Sequence, residues 1–205
     1  TIRRPLLGGV PFVLASADHG RMVITSTNAV AQAAGVERGM VVADARAIIP
    51  SLQVLDDKPG LSARLLKGIA EWCIRYTPVV AVDPPDGLLL DVTGCAHLWG
   101  GEAAYLTDII TRLKTLGYTV RAAIADTIGT AWAVARFGKE SLVLPGNQTA
   151  ALLPLSPAAL RLEPDILGLL HKLGLRQVNS FIRMPRPALR RRFGRSLLQK
   201  LDQAL

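Results

Sequence analysis

Val79 to Gly94 reads VVAVDPPDGLLLDVTG, and few backbones accept that order of residues. Val79–Val82 and Leu88–Val92 are β-prone runs, and the stretch Asp83-Pro84-Pro85-Asp86-Gly87 between them is dense in proline and glycine. Proline fixes φ and lacks an N–H, while glycine opens conformations closed to other residues, so the five residues demand a turn. The two runs therefore form a hairpin. Its flanks are helical. Leu65, Ile69, Trp72 and Tyr76 recur at helical spacing before it, with Pro78 as the stop. Leu106, Ile109, Ile110 and Leu113 mark an amphipathic helix after it, which Gly117 ends. A strand over Tyr118–Ala125 and a helix over Ile128–Phe137 follow. The order α-β-β-α-β-α is most of a split βαβ, ferredoxin-like layer with helices on one face, and one more strand before Thr1 completes it. In such a layer Leu88 and Leu90 oppose Leu89 and Asp91 across the strand, one leucine set is buried, and Trp72 packs under the sheet.

Upstream, Phe12–Ala15 and Met22–Thr25 are short β-prone runs joined by Asp18-His19-Gly20 as a turn. Asn28 is placed to cap an alanine-rich helix that stops at Gly35, and a second helix over Ala43–Ile49 ends at Pro50. Downstream of the loop at Leu144-Pro145-Gly146-Asn147, Ile166–Lys172 reads as a helix, Leu173-Gly174-Leu175 as a tight turn, and Gln177–Ile182 as another helix. Pro185 ends that pair and Pro187 starts the next helix. Gly194 interrupts it before Leu197, Leu198, Leu201 and Leu205 line a final apolar face.

Charge is distributed unevenly. The net charge is +8, from 24 basic and 16 acidic residues. Lys172, Arg176, Arg183, Arg186, Arg190, Arg191, Arg192, Arg195 and Lys200 all lie between Ile166 and Leu201, where there is no acid. That leaves 15 basic against 16 acidic residues elsewhere, so the whole positive balance sits in one segment. A cationic run of this density is the footprint of a polyanion partner, most simply a nucleic-acid backbone. A solvated helix face and an anionic membrane surface are the other readings. Three consecutive arginines do not share one helix face, so Arg191 is expected to turn to the core or to an acidic partner.

Half of the 205 residues are hydrophobic, enough for a buried core, and no apolar run reaches the roughly 18 residues that span a bilayer. Cys73 and Cys95 make no disulfide framework, which suits a reducing cytoplasm. The beginning TIRRPLLGG has neither a signal-peptide core nor an initiator Met, so the chain is expected to be a fragment or trimmed. Cys95-x-His97 is far short of a zinc set and is read as loop packing, with Trp99 anchoring the same loop on the sheet. His19 and His171 have no nucleophile partner.

The hairpin also resembles the palm hairpin of Y-family translesion DNA polymerases, S-x-D-E-A-[FY]-L-D-[VI]-[TS], whose adjacent Asp and Glu hold magnesium. Anchoring on Leu90-Asp91-Val92-Thr93 sets Asp86 on the metal-binding Asp and Gly87 on the Glu. The other reading of Asp86-Gly87 is a turn dipeptide. Asp91 matches a structural Asp of the family. Y-family fingers carry Y-x-A-R before G-V-x-x-G-M. Aligning on Gly35-Val36 and Gly39-Met40 puts Ala29 at the Tyr and Gln32 at the Arg, which loses a charge-assisted triphosphate contact. The segment IADTIGTAWAVARFGK is thin in the lysines that the family places after its last palm strand. With GCAHLWGGE, VADARAIIP and RFGRSLLQKLDQAL, these departures resemble the ImuB group, catalytically inactive relatives of Y-family polymerases.

The resemblance implies a mixed α/β (α+β) polymerase-like body: fingers over 1–58, a ferredoxin-like palm over 59–143 lacking its first strand, and a helix-hairpin-helix thumb over 150–205. It implies no catalytic residues and no metal, Asp86 being vestigial with Gly87 in place of the Glu. DNA contacts are expected at Lys172, Gly174, Arg176, Arg183, Arg186, Arg190, Arg192 and Arg195. The implied role is a cytoplasmic, DNA-binding adaptor in damage-induced mutagenesis. Its partners are DNA, a RecA-like accessory protein and a C-family error-prone polymerase, with a sliding clamp engaged by regions outside this chain and no membrane. The alternative is an active DNA-directed DNA polymerase that uses magnesium and a metal-binding Asp upstream.

Overall fold

The computed structural model describes Leu7 and residues 9–58 and 60–205. Thr1–Leu6 and Gly8, within the stretch read for a signal-peptide core, and Pro59, where the palm was set to begin, lie outside the described residues. The chain divides into two compact units: one runs to Arg75 and includes Val80–Leu88, the other comprises Tyr76–Val79 and Leu89–Leu205.

In the first unit, strands β1 (Phe12–Asp18) and β2 (Arg21–Thr27) pair antiparallel. His19 (φ 46°) and Gly20 (φ 79°) form the turn. Left-handed φ at both central residues is the geometry that matches hairpin twist. Asn28 caps α1 (Ala29–Ala33) as expected, its Oδ1 accepting from the Ala31 N–H at 3.0 Å. After α2 (Val42–Ile48) comes a strand that the sequence does not announce, β3 (Gln53–Asp56), parallel to β1. The sheet order is β2-β1-β3, and Val13, Ala15, Ile24, Ala31, Val36, Ala45 and Leu52 form its buried core.

The next helix, α3 (Leu61–Cys73), buries Ala70 and Cys73, whereas Leu65 is exposed and Trp72 half-buried. The expected packing of Trp72 under a sheet is thus only partly realised. The strand packed on α3 within its unit is β4 (Val80–Asp83), and the Arg75 guanidinium takes up one face of the indole, 4.3 Å from the ring centre. Strands β4 and β5 (Gly87–Leu90) form the expected two-stranded hairpin. Leu88, Leu89 and Leu90 are all half-buried, so neither leucine set is sequestered. The strand expected over Tyr118–Ala125 does not form. A strand needs a neighbour for its N–H and C=O groups. Among the described residues only one bridge serves this stretch: Ile124 donates to Ser141 and accepts from Val143, each at 2.9 Å.

The second unit is mainly helical: α4 (Glu102–Thr115), α5 (Ile128–Phe137), α6 (Gln148–Leu152), α7 (Pro164–Lys172) and α8 (Arg186–Ala204). Its core joins Ala133, Leu152, Leu160, Leu170, Phe181, Leu189, Leu197 and Leu201. The helix expected at Gln177–Ile182 shrinks to a 3₁₀ turn at Val178–Ser180. The N–H groups of Val178 and Asn179 go instead to the carbonyls of Leu155 and Leu153 (2.9 and 3.0 Å). Val178 and Phe181, fully buried, hold the turn against the core. Leu205 is 43% exposed, and Ala204 takes the core position expected of it. Among the described residues no helix is long and apolar enough to cross a membrane.

The end of α8 is locked onto the start of α5. The Ala204 carbonyl accepts from Thr127 Oγ1 (2.8 Å) and Thr130 Oγ1 (2.6 Å). A Cβ on Gly129 would stand 2.7 Å from the Ala204 Cα and the Gln203 oxygen, both backbone atoms. Gly129→Ala is therefore expected to lower stability by about 1–3 kcal/mol through forced separation of the two helices. A urea midpoint reduced at unchanged slope is the reading that confirms it, and an unchanged midpoint refutes it.

Candidate nucleic-acid interface

Gly174 sits where α7 must end and reverse. Its φ is 72°, its N–H donates to His171 (3.0 Å), and the Leu175 N–H reaches back to Leu170 (2.9 Å). These two bonds satisfy carbonyls at the end of the helix, and Leu175 packs on the core. Lys172 closes α7, and Lys172, Arg176 and Arg183 are exposed around this turn.

The last helix supplies most of the cations. Gly194 (φ 84°, ψ −177°) breaks α8 into two arms. Leu189 and Phe193 of the first arm are buried, so Arg190, Arg191 and Arg192 fan over the rest of its circumference, and all three are exposed. The expectation that Arg191 turns to the core is corrected by this spacing. Arg195 begins the second arm and is exposed. Arg186 is committed within the chain: its Nη2 lies 2.5 and 2.6 Å from the two carboxylate oxygens of Asp202. Sequence spacing did not reveal this pair, because residues sixteen apart meet only when the helix is broken. Arg186, Arg190, Arg195, Leu198, Gln199 and Asp202 line a groove of about 330 Å³. Glu163, just ahead of α7, accepts from Ser196 Oγ (2.7 and 2.9 Å). That hydroxyl, more than the Lys200 charge, holds its carboxyl below the ordinary range.

The hairpin carries the other candidate position. Pro84, Pro85 and Asp86 make the turn, with Asp86 exposed, and Gly87 is the first residue of β5. Gly87 thus belongs to the strand rather than to the turn. The other acids nearby have different roles. Asp83 is buried. Asp91 Oδ1 accepts from the Thr93 N–H at 3.0 Å, and bonds from Thr93 hold its carboxyl below the usual range. Asp126 accepts from Gln148 Nε2 at 2.7 Å. Two-metal phosphoryl transfer needs several carboxylates around one point. Among the described residues no three His, Cys, Asp or Glu side chains gather to hold a metal ion. In the first unit, Ala29 and Gln32 lie exposed on the single short turn of α1.

The GCAHLWGGE loop folds as a 3₁₀ turn, Ala96–Trp99. Trp99 anchors it on aromatic rings, its ring centre 4.6 Å from Tyr76 and 6.3 Å from Tyr105. Tyr76 in turn donates to Asp108 (2.6 Å), and that bond, ahead of Arg112, holds the Asp108 carboxyl below its ordinary range. Burial pushes the Cys73 thiol up to about 11.

The family model described as impB/mucB/samB matches residues 1–136. The chain belongs to this family. It is 47% identical over 172 residues to Protein ImuB of Caulobacter vibrioides (strain NA1000 / CB15N), which covers 83% of this chain and 38% of that protein. DNA polymerase IV 2 of Mesorhizobium japonicum is 28% identical over 203 residues, 96% of this chain and 48% of that one. The chain thus spans less than half the length of these two relatives. The fold matches the crystal structure of DinB from Sulfolobus solfataricus with a TM-score of 0.77 and 19% identity, over 99% of this chain and 62% of that one. The insertion ternary complex of Dbh DNA polymerase matches with a TM-score of 0.74 at 18% identity, over 99% and 62%. The architecture is that of the Y-family polymerases, a mixed α and β chain with small sheets.

If Gly87 is a strand residue, its backbone freedom is a cost, about 0.5–1 kcal/mol against a residue with a side chain. Gly87→Thr is expected to raise stability by roughly that amount. Loss of stability in a chemical melt is the opposite outcome, and it would return Gly87 to the turn.

Proposed function

We propose that the chain is part of a non-catalytic, DNA-binding adaptor for damage-induced, error-prone translesion synthesis in the SOS response, supporting a separate polymerase. The observation that carries this reading is Gly87: it stands beside Asp86 on an intact hairpin, where the family pattern has a metal-binding Glu. The hairpin is kept and the ligand is gone. Ala29 and Gln32, in place of the Tyr and Arg of the fingers pattern, support the same conclusion. The reading needs no metal cofactor.

DNA is held by Lys172, Arg176, Arg183, Arg190, Arg192 and Arg195, while Gly174 shapes the turn that carries Lys172 and Arg176, its own N–H being spent on His171. Arg186 meets phosphate with its charge already offset by Asp202. By resemblance to the ImuB group, the protein works in the cytoplasm beside a RecA-like accessory protein and a C-family polymerase, with a sliding clamp bound by parts outside this chain. Fingers over 1–58, palm over 59–143 and thumb over 150–205 remain the proposed division of labour.

Primer extension by the full-length protein tests the loss of catalysis. No extension is expected with magnesium or manganese. Template-directed extension that Asp86→Ala abolishes overturns the adaptor and establishes the active polymerase instead.

Binding is tested separately. If about four cations meet phosphates, log affinity for duplex DNA falls against log salt with a slope near −3 to −4. The Arg190/Arg191/Arg192→Ala triple is expected to flatten that slope and to weaken unrelated sequences alike. Salt-independent binding, or a triple variant with the parental slope, moves the patch to a protein partner.

A further inference from the structure

The groove at the break of α8 is built from two helical stripes. Arg186 and Arg190 stand four apart on the first arm, and Arg195, Leu198, Gln199 and Asp202 recur at spacings of three and four on the second. Leu189 and Phe193 on one arm, and Leu197 and Leu201 on the other, are buried, so the core fixes both arms and turns these stripes outward. Gly194 supplies the bend between them, with φ 84° and ψ −177°. The lining therefore holds three guanidiniums and one carboxylate, with Leu198 half-buried among them.

That carboxylate is the unexpected member of a site for a polyanion. Both of its oxygens lie on Arg186 Nη2, at 2.5 and 2.6 Å, across the break. A guanidinium donates to carboxylate and phosphate oxygens in the same geometry, so the two anions compete for one place. Both partners of the pair are 56% exposed, which puts the contested place within reach of solvent and of DNA. A backbone phosphate entering beside Arg190 and Arg195 meets Asp202 in the same groove, and like charges at short range oppose each other.

We propose that this groove seats one backbone phosphate and that Asp202 tempers it: the carboxylate takes the oxyanion place at Arg186 and leaves Arg190 and Arg195 to hold the DNA. Resting on the DNA-binding reading above, this role makes the protein's hold on DNA weaker, and less steep in salt, than its cations alone would make it.

Salt titration of binding tests the role, read by fluorescence anisotropy of two labelled duplexes of unrelated sequence with the full-length protein. Asp202→Asn releases Arg186 to phosphate, and is expected to tighten binding and to steepen the log–log slope by about one unit on both duplexes. Arg186→Gln is expected to leave the parental slope, and Asp202→Asn in that background to add nothing. Because the pair is exposed, these variants should melt close to the parent. General repulsion by the carboxylate gives the same gain in both backgrounds, and that result overturns direct competition at Arg186. A parental slope in Asp202→Asn, with the Arg190/Arg191/Arg192 triple still impaired, also overturns this inference and leaves DNA binding by the C-terminal segment standing. Salt-independent binding by the parent overturns both.

Discussion

The carbonyl of Ala204 is the contact on which the second unit depends. It is the last residue of α8, it is buried, and a carbonyl there has no partner within its own helix. Thr127 and Thr130, at the start of α5, supply two hydroxyls to it, and Gly129 lets the backbones close to contact. The electron-rich end of one helix thus meets the electron-poor end of another. Left unpaired, the carbonyl would cost about 1–3 kcal/mol. With that end fixed, Leu189, Phe193, Leu197 and Leu201 all face one core together with Ala133, Leu152 and Phe181.

That packing decides where the charge goes. A helix that spends Leu189 and Phe193 on the core has nowhere but solvent for the three arginines between them. The break at Gly194 then folds the second arm so that Asp202 meets Arg186. Both partners of this pair are 56% exposed, so its worth in stability is small. Its effect is on geometry and on net charge: it ties the two arms together and removes one cation from those that face a polyanion.

Local physics was legible in the residues and long-range pairing was not. Asn28 announced a cap, His19-Gly20 a turn, Gly117 and Gly174 helix ends, and Ile128–Phe137 a helix that the structure reproduces to the residue. Each of these is set by a few neighbours in sequence. β3 escaped notice because four residues carry little pattern, and its existence depends on β1 some forty positions earlier. The strand expected at Tyr118–Ala125 failed for the converse reason. Its residues suit a strand, but the described residues bring only the stretch around Leu142 alongside. At the candidate interface the same division holds: the cationic run was visible, whereas the Arg186–Asp202 pair required the fold.

The proposed loss of a catalytic carboxylate and the proposed binding surface are compatible because they draw on different parts of the chain. The hairpin is held by its ladder and by its base, where the Asp91 N–H donates to Val79 and the Thr77 hydroxyl to Asp91. None of those bonds uses the side chain at position 87. A glutamate there would serve chemistry and not folding, so its replacement by glycine takes away little more than the strand preference of a larger residue. The C-terminal cations stand in the opposite relation to the fold, since packing forces Arg190 to Arg192 outward whether or not a polyanion is present. A chain released from catalysis would therefore lose the carboxylate readily while its charged helix persisted as a consequence of its core.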